Sequence, residues 1–193
     1  MQNPNTAAIK RNESEMQLTK TGYYADFVVY PSLVLALGWL GLRHVPSIQR
    51  WEWMLACAVG AIFWTLLEYL LHRHVLHRLP PFQRLHDLHH ARSTDLIGTP
   101  TWLSLCLFAG FALLLWHETD ADLASGMTVG LMLSYLCYVG LHHAVHHVKA
   151  HRGSWLHHAK LRHALHHHSQ HPCNFGVTTG LWDIAFGSTY QSA

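Results

Sequence analysis

Charged side chains are scarce in this sequence. Only 12% of its 193 residues are Asp, Glu, Lys or Arg, against roughly 25% in an average soluble domain. Half of the residues are hydrophobic, and this combination excludes a disordered chain and disfavours an ordinary soluble domain. The net charge of +2 is too small for a nucleic-acid-binding surface, so we expect no nucleic-acid partner.

Cysteine is scarce as well, with four residues in the chain and no closely spaced pair. Three of them, Cys57, Cys106 and Cys137, lie within apolar stretches, and Cys173 stands near the C-terminus. This pattern excludes a disulfide framework and a zinc site built from thiolates. The N-terminal residues 1–20 are polar and lack the apolar core of a secretory signal.

Four apolar stretches are long enough to cross a bilayer as helices, which takes roughly 20 residues each. They cover about residues 23–42, 51–71, 98–117 and 123–148. The sequence therefore predicts an all-α integral membrane protein, a bundle of about four transmembrane helices. Residues 1–22 would form a polar cytosolic segment and residues 23–193 a single domain, in which 72–97 and 142–190 form a histidine-rich helical cap.

The loops between these spans differ in charge. All but two of the 13 Lys and Arg residues can lie on one side of the membrane, and the exceptions are Arg43 and Arg50. By the positive-inside rule, that side faces the cytoplasm together with both chain termini. All but two of the 20 histidines fall on the same side, the exceptions being His44 and His117.

Most of these histidines form four clusters with helical spacing. Residues three or four apart share a helix face, so a pair such as His142 and His146 can bind one ion together. Histidine is the commonest metal ligand, and about eight to ten imidazoles are too many for one four-coordinate ion, so we expect two metal ions. The candidate ligands are His72, His77, His86, His89, His90, His142, His146, His163, His166 and His167.

The order and spacing of the clusters resemble those of the fatty acid hydroxylase / sterol desaturase superfamily of membrane di-iron enzymes. The four histidine boxes of that superfamily correspond to His72 and His77, to His86, His89 and His90, to His142 and His146, and to His163, His166 and His167. Its other signatures are matched by Asp95 and Pro100, Asn174-Phe175-Gly176, Trp182-Asp183 and Phe186-Gly187. The resemblance extends over about residues 68–190.

The resemblance implies a cytosol-facing cap that holds two iron ions, with dioxygen as co-substrate. It implies hydroxylation of the alkyl chain of a membrane lipid, and we expect a fatty-acyl chain. Zinc can take the place of iron in purified protein, because imidazole accepts both metals. Electrons would come from a separate protein of the cytochrome b5, ferredoxin or reductase type, since the His171-Pro172 pair lacks the glycines of a fused cytochrome b5 haem motif.

Within this framework, polar residues near the boxes are expected to orient the ligand rings through their second nitrogen. The candidates are Glu68, Asp95, Asn174 and Asp183. Each acid could instead be a helix cap or a surface charge. Asn174 could also be a metal ligand through its amide oxygen or a turn residue before Gly176. Sequence alone also leaves open which members of the adjacent sets, His89 with His90 and His166 with His167 and His168, bind which ion.

Two alternative functions remain at this point. One is a carotenoid- or sterol-type oxidase, because the eight residues between His77 and His86 are typical of the sterol branch. The other is a histidine-rich membrane protein for metal binding or transport. A transporter would need ionisable residues along its spans, whereas Asp26, Glu52 and Glu68 lie near span ends.

Overall fold

The computed structural model describes residues 17–191, and all regular elements within this range are helical. In chain order the helices are α1 (Lys20–Tyr24), α2 (Asp26–His44), α3 (Arg50–Leu70), α4 (Phe82–Ala91), α5 (Thr101–Glu118), α6 (Ala121–His147), α7 (Trp155–His168) and α8 (Leu181–Ala185). A 3-10 turn, Ser47–Gln49, precedes α3, and a π-helical segment, Leu71–Leu76, continues it. Most of the N-terminal segment expected over residues 1–22 lies outside the described residues.

Four helical segments are long and apolar enough to cross a membrane, which confirms the predicted all-α bundle. They are Lys20–His44, Ser47–Leu76, Thr101–Glu118 and Ala121–His147. Large apolar side chains on their outer faces are mostly exposed, as with Leu35, Ile62 and Leu113. Such a continuous exposed apolar surface is expected where lipid covers the protein.

Helix α6 is the centre of the bundle and contacts α2, α3 and α5. Tyr30, Trp64, Phe108 and Tyr135, one from each of the four membrane helices, pack together with edge-on ring contacts in a buried core. Their aromatic area and quadrupoles favour this arrangement. The core therefore fixes the four helices relative to one another just below the histidines.

Helices α3 and α6 run parallel and touch backbone to backbone. A Cβ atom on Gly130 would lie 1.9 Å from the carbonyl oxygen of Cys57, and one on Gly60 would lie 2.1 Å from that of Met127. Small residues allow this close approach inside a membrane, where packing rather than the hydrophobic effect holds helices together. Because both helices end in histidine clusters, the contact brings those clusters to the same end of the bundle.

Helix caps decide where the histidine-bearing helices begin. The Asp120 carboxylate accepts a hydrogen bond from the Leu123 backbone N–H (2.8 Å) at the start of α6. The Ser154 hydroxyl accepts one from the His157 backbone N–H (3.2 Å) at the start of α7. Both residues satisfy N–H groups that a helix leaves unpaired.

We expect Gly130→Ala to weaken the bundle, because the added methyl group collides with the backbone of α3. Overpacking of this kind costs about 1–3 kcal/mol, measurable as a lower thermal transition in detergent. Gly110→Ala is the matched control, since a Cβ there meets nothing within 4 Å. Equal transitions for the two variants would contradict the proposed importance of the α3–α6 contact.

Candidate metal centre

The first histidine cluster lies where α3 changes to a π-helix. In an α-helix, residues five apart point about 140° away from each other, so His72 and His77 would face different directions. In the π-helical segment Leu71–Leu76, hydrogen bonds run from residue i to i+5, and the two rings stack with centroids 5.2 Å apart. His72 and His77 are five positions apart, with four residues between them, and this separation matches the i to i+5 repeat of the π-helix.

Five imidazoles from three segments form one group. Each offers a nitrogen, and all these nitrogens lie within 4.8 Å of one another; the members are His72, His77, His86, His90 and His166. The Nε2 atom of His86 is 3.0 Å from Nε2 of His72 and 3.1 Å from Nε2 of His77. Two ligands that share an ion at roughly 2.0–2.1 Å have this separation.

Four further imidazoles form a second group under the same 4.8 Å limit, and they come from α4, α6 and α7. They are His89, His142, His146 and His163. The Nε2 atoms of His146 and His163 are 2.9 Å apart. His142 and His146 lie one turn apart on α6, with ring centroids separated by 4.9 Å.

The tenth candidate, His167, lies between the two groups. Its ring stacks on that of His90 at 4.1 Å, and its Nε2 is 3.0 Å from Nε2 of His163. His89 and His90 are adjacent in the sequence but belong to different groups, and so do His163 and His166, which are three residues apart on α7.

Backbone carbonyls orient two of the rings, those of His72 and His166, through hydrogen bonds to Nδ1. Nδ1–H of His72 donates to the carbonyl oxygen of Phe175 (2.5 Å), and Nδ1–H of His166 donates to that of Cys173 (2.7 Å). A carbonyl can only accept, so the proton of each ring must be on Nδ1. The Nε2 lone pair is then free for a metal, as in many histidine sites.

The carbonyls of Cys173 and Phe175 belong to a C-terminal strap, residues 172–191, that two buried acids fix in place. Asp183 accepts hydrogen bonds from the backbone N–H groups of Phe175 and Gly176, both at 2.8 Å. Glu68 accepts from the backbone N–H of Val177 (2.6 Å) and from Thr178. The strap is thus tied to α3, which carries Glu68 four residues before His72.

The hydrogen bonds of the four polar candidates therefore differ from our expectation, because in the described range none of them goes to a histidine ring. Glu68 and Asp183 bind the strap. Asn174, at a φ of +53°, accepts from Tyr190 N–H and donates to the Arg162 carbonyl. Asp95 accepts from Gln17. Backbone carbonyls carry out the orienting role instead, and sequence patterns do not reveal which carbonyl faces which ring.

The donor set suits a metal ion. Burial lowers the pKa of His89 to about 2 and the pKa values of His90, His166 and His167 to about 3; it also lowers the pKa of His86 and that of His163 strongly. These rings stay neutral near pH 7, which is the form that binds metal. Both ring nitrogens of His89 and one of His163 are buried without a hydrogen-bond partner. A buried polar nitrogen without a partner lowers the stability of the fold unless it binds an ion.

A mostly apolar cavity of about 470 Å³ reaches both histidine groups. His72 and His86 of the first group and His89 and His142 of the second lie on its wall. The remaining wall comes mainly from α1, α2, α4, α5, α6 and the loop 97–100, with side chains that include Leu85, Leu103 and Val139. Its volume is within the roughly 300–1,000 Å³ of small-molecule sites. Sequence analysis missed this cavity, because its wall joins segments that are distant along the chain.

Alanine at His86 or His163 should lower the metal content by about one ion per chain, since each ring is central to one group. Metal analysis of the purified protein gives the measurement. His158→Ala is the control, because His158 is exposed and belongs to neither group. If all three variants keep the metal content of the unmodified protein, the two groups are not metal sites.

Asp183→Ala should weaken metal binding without removing a ring nitrogen, because the strap would lose three hydrogen bonds to the carboxylate. Loss of such outer support typically costs about 10–100-fold in metal affinity. Chelator competition measures the affinity, and exposed Asp122→Ala serves as the control. An unchanged affinity in Asp183→Ala would show that the strap does not hold the rings.

The chain is similar in sequence to several curated proteins. The fatty acid 2-hydroxylase of Mus musculus is 29% identical over 198 residues, covering 87% of this chain and 52% of that protein. The ceramide very long chain fatty acid hydroxylase SCS7 of Saccharomyces cerevisiae is 31% identical over 185 residues, covering 89% of this chain and 46% of that protein. The chain spans about half the length of these curated relatives.

A solved structure described as full-length Scs7p, with only its hydroxylase domain visible, is also similar. It matches with a TM-score of 0.77 and 27% identity, over 90% of this chain and 68% of that one. The family model named fatty acid hydroxylase matches residues 57–188, a stretch that contains both histidine groups and nearly all of the strap. Since that match covers more than half of the sequence, the chain belongs to the fatty acid hydroxylase family.

Proposed function

We propose that this protein hydroxylates the fatty-acyl chain of a membrane lipid with dioxygen, at a pair of metal ions held by the two histidine groups. The observation that carries the proposal is the apolar cavity whose wall contains histidines of both groups. An alkyl chain in this cavity would lie against both candidate metal positions. The relatives named for fatty acid and ceramide hydroxylation favour the acyl chain over a sterol or carotenoid.

The proposed ligands are ten histidines, namely the nine of the two groups and His167 between them, and the proposed metal is iron. Bound iron would supply the activation of dioxygen and the oxidising power for an unactivated C–H bond, which no amino-acid side chain provides. One oxygen atom enters the product as a hydroxyl group, and the other leaves as water after uptake of two electrons and two protons.

The protein's own contribution is positioning and exclusion of water. Leu85, Leu103 and Val139 offer apolar surface to a chain in the cavity, and the strap keeps Nε2 of His72 and of His166 directed inward. Rings held in a fixed orientation keep a site organised before substrate arrives. The substrate would enter from the lipid bilayer, since the cavity lies among the membrane helices at their histidine-bearing ends.

We further propose that the histidine cap and both termini face the cytoplasm, as the distribution of Lys and Arg indicates. The electrons would come from a separate donor protein of the cytochrome b5, ferredoxin or reductase type. Four histidines of the site are partly exposed, namely His77, His90, His146 and His167. Their exposure favours electron delivery from the solvent side while substrate occupies the membrane side.

Cells that produce the protein should accumulate a lipid heavier by one oxygen atom, and the added atom should carry the label when ¹⁸O-labelled dioxygen is supplied. Lipid mass spectrometry makes the comparison. Alanine at His146 or His167 should abolish the product and lower bound metal while the helices still insert, and His158→Ala should keep the product. An unchanged lipidome with altered cellular zinc or nickel would favour a metal-handling function instead.

Val139→Phe should reduce turnover of long acyl chains by about tenfold or more, because the larger ring fills part of the cavity. Metal content should stay unchanged, since Val139 is not a ligand. The matched control is Leu133→Phe on the exposed, lipid-facing side of the same helix. Equal turnover in the two variants would argue that the substrate does not occupy this cavity.

A further inference from the structure

A buried carboxyl group that the metal centre does not use lies on the wall of the same cavity. Asp26, in the first turn of α2, is only 5% exposed and lines the cavity together with Tyr135. Acidic residues in membrane helices are costly and are usually retained for function. Asp26 therefore needs an explanation that the histidine groups do not provide.

Hydroxyl groups from two other helices hold this carboxylate. Thr101 of α5 donates to Oδ1 (2.6 Å), and Tyr135 of α6 donates to Oδ2 (2.5 Å). A carboxylate has roughly four acceptor positions, so each oxygen keeps unused capacity. Within residues 17–191, no Lys, Arg or His forms an ion pair or hydrogen bond with Asp26. Because both hydroxyl groups donate, both oxygens of Asp26 act as acceptors, as in a carboxylate, and no basic side chain of these residues pairs with them.

A ligand in the cavity can supply what this carboxylate lacks. A group that donates hydrogen bonds, such as an amide N–H, a hydroxyl or an ammonium, would use the spare acceptor positions of Asp26. A lipid that ends in a carboxylate would instead place a second negative charge beside it, with no donor to share. The apolar remainder of the cavity wall strengthens this discrimination, because a low dielectric increases the energy of unpaired charges.

The Asp26 carboxylate lies apart from the metal centre along α6, because its partner Tyr135 precedes the histidines of that helix. Tyr135 and His142 both line the cavity and are seven residues apart, which is about 10 Å along a helix. A single lipid molecule can therefore place its polar group at Asp26 and another part of its length at the histidines.

We propose that Asp26, positioned by Thr101 and Tyr135, binds the hydrogen-bond-donating polar group of the lipid substrate and selects against free fatty acids. This inference rests on the proposed function, in which the cavity binds the lipid substrate. Asp26 acts as a specificity-determining residue whichever metal the histidines bind.

The test is a binding measurement on the metal-loaded protein in detergent, by displacement of a fluorescent acyl probe. The competitors are stearic acid and N-stearoylethanolamine, which share one acyl chain and differ in the polar group. The unmodified protein should bind the ethanolamide at least about tenfold more tightly than the acid, as expected for one charge-assisted hydrogen bond. Stearylamine as a third competitor distinguishes a charged donor from a neutral one.

Asp26→Asn should shift this ratio by about tenfold toward the acid, because the amide loses the negative charge and gains N–H donors that a carboxylate can accept. Asp26→Glu keeps the charge and should keep the preference for the ethanolamide. The control is Asp122→Asn, at an exposed acid near the opposite end of α6. A purely structural Asp26 would instead weaken the binding of both lipids in parallel, which would overturn the proposal.

If Asp26→Asn does not fold, the unmodified protein decides the question: equal displacement by the two lipids, or displacement by neither, overturns the proposal. Because binding is read without turnover, a protein that shows the preference but forms no hydroxylated lipid would contradict the proposed function and leave the selectivity of Asp26 supported. A protein that forms product without the preference would do the reverse.

Discussion

Neutral imidazole nitrogens converge on two small buried spaces, and most of the cap serves to keep them there. Lone pairs that face one another at about 3 Å repel unless a proton or a cation lies between them. Strong burial keeps rings such as His89 and His163 in the neutral form, with one proton each. On His72 and His166 that proton is on Nδ1, so their Nε2 lone pairs face neighbouring rings without a proton of their own. A metal ion bound at these lone pairs would remove the repulsion, and the strap supports the rings from the other side through the carbonyls of Cys173 and Phe175.

The fold was largely predictable, because its determinants are local. Runs of apolar residues need no tertiary information to indicate a membrane helix, and the four apolar stretches each correspond to one long helix. The histidine clusters at the ends of α3 and α6 were also readable from spacing, and the structure brings nine of the ten candidates into two groups. Assigning His90 to one group and His89 to the other required the three-dimensional path of α4.

The remaining features depend on contacts between distant segments. The five-position separation of His72 and His77 is consistent with the π-helical segment Leu71–Leu76. The spacing alone does not predict this segment, because the reason for it becomes clear only from the contact between the two rings. Glu68 and Asp183 were recognised as important by their position, yet their partners are backbone N–H groups of the strap. Asp26 was noted only as an acid near a span end, since its partners Thr101 and Tyr135 lie at least 75 residues away in sequence.

The glycine contacts between α3 and α6 have a consequence for the metal centre. Gly60 is twelve residues before His72, and Gly130 is twelve residues before His142, so each contact lies about 18 Å below the first histidine of its helix. Because the backbones of α3 and α6 touch at these glycines, the two helices cannot shift along each other without a steric clash. The height of His72 relative to His142 is thus set from within the hydrocarbon layer, by the packing of α3 against α6 and not by the cap.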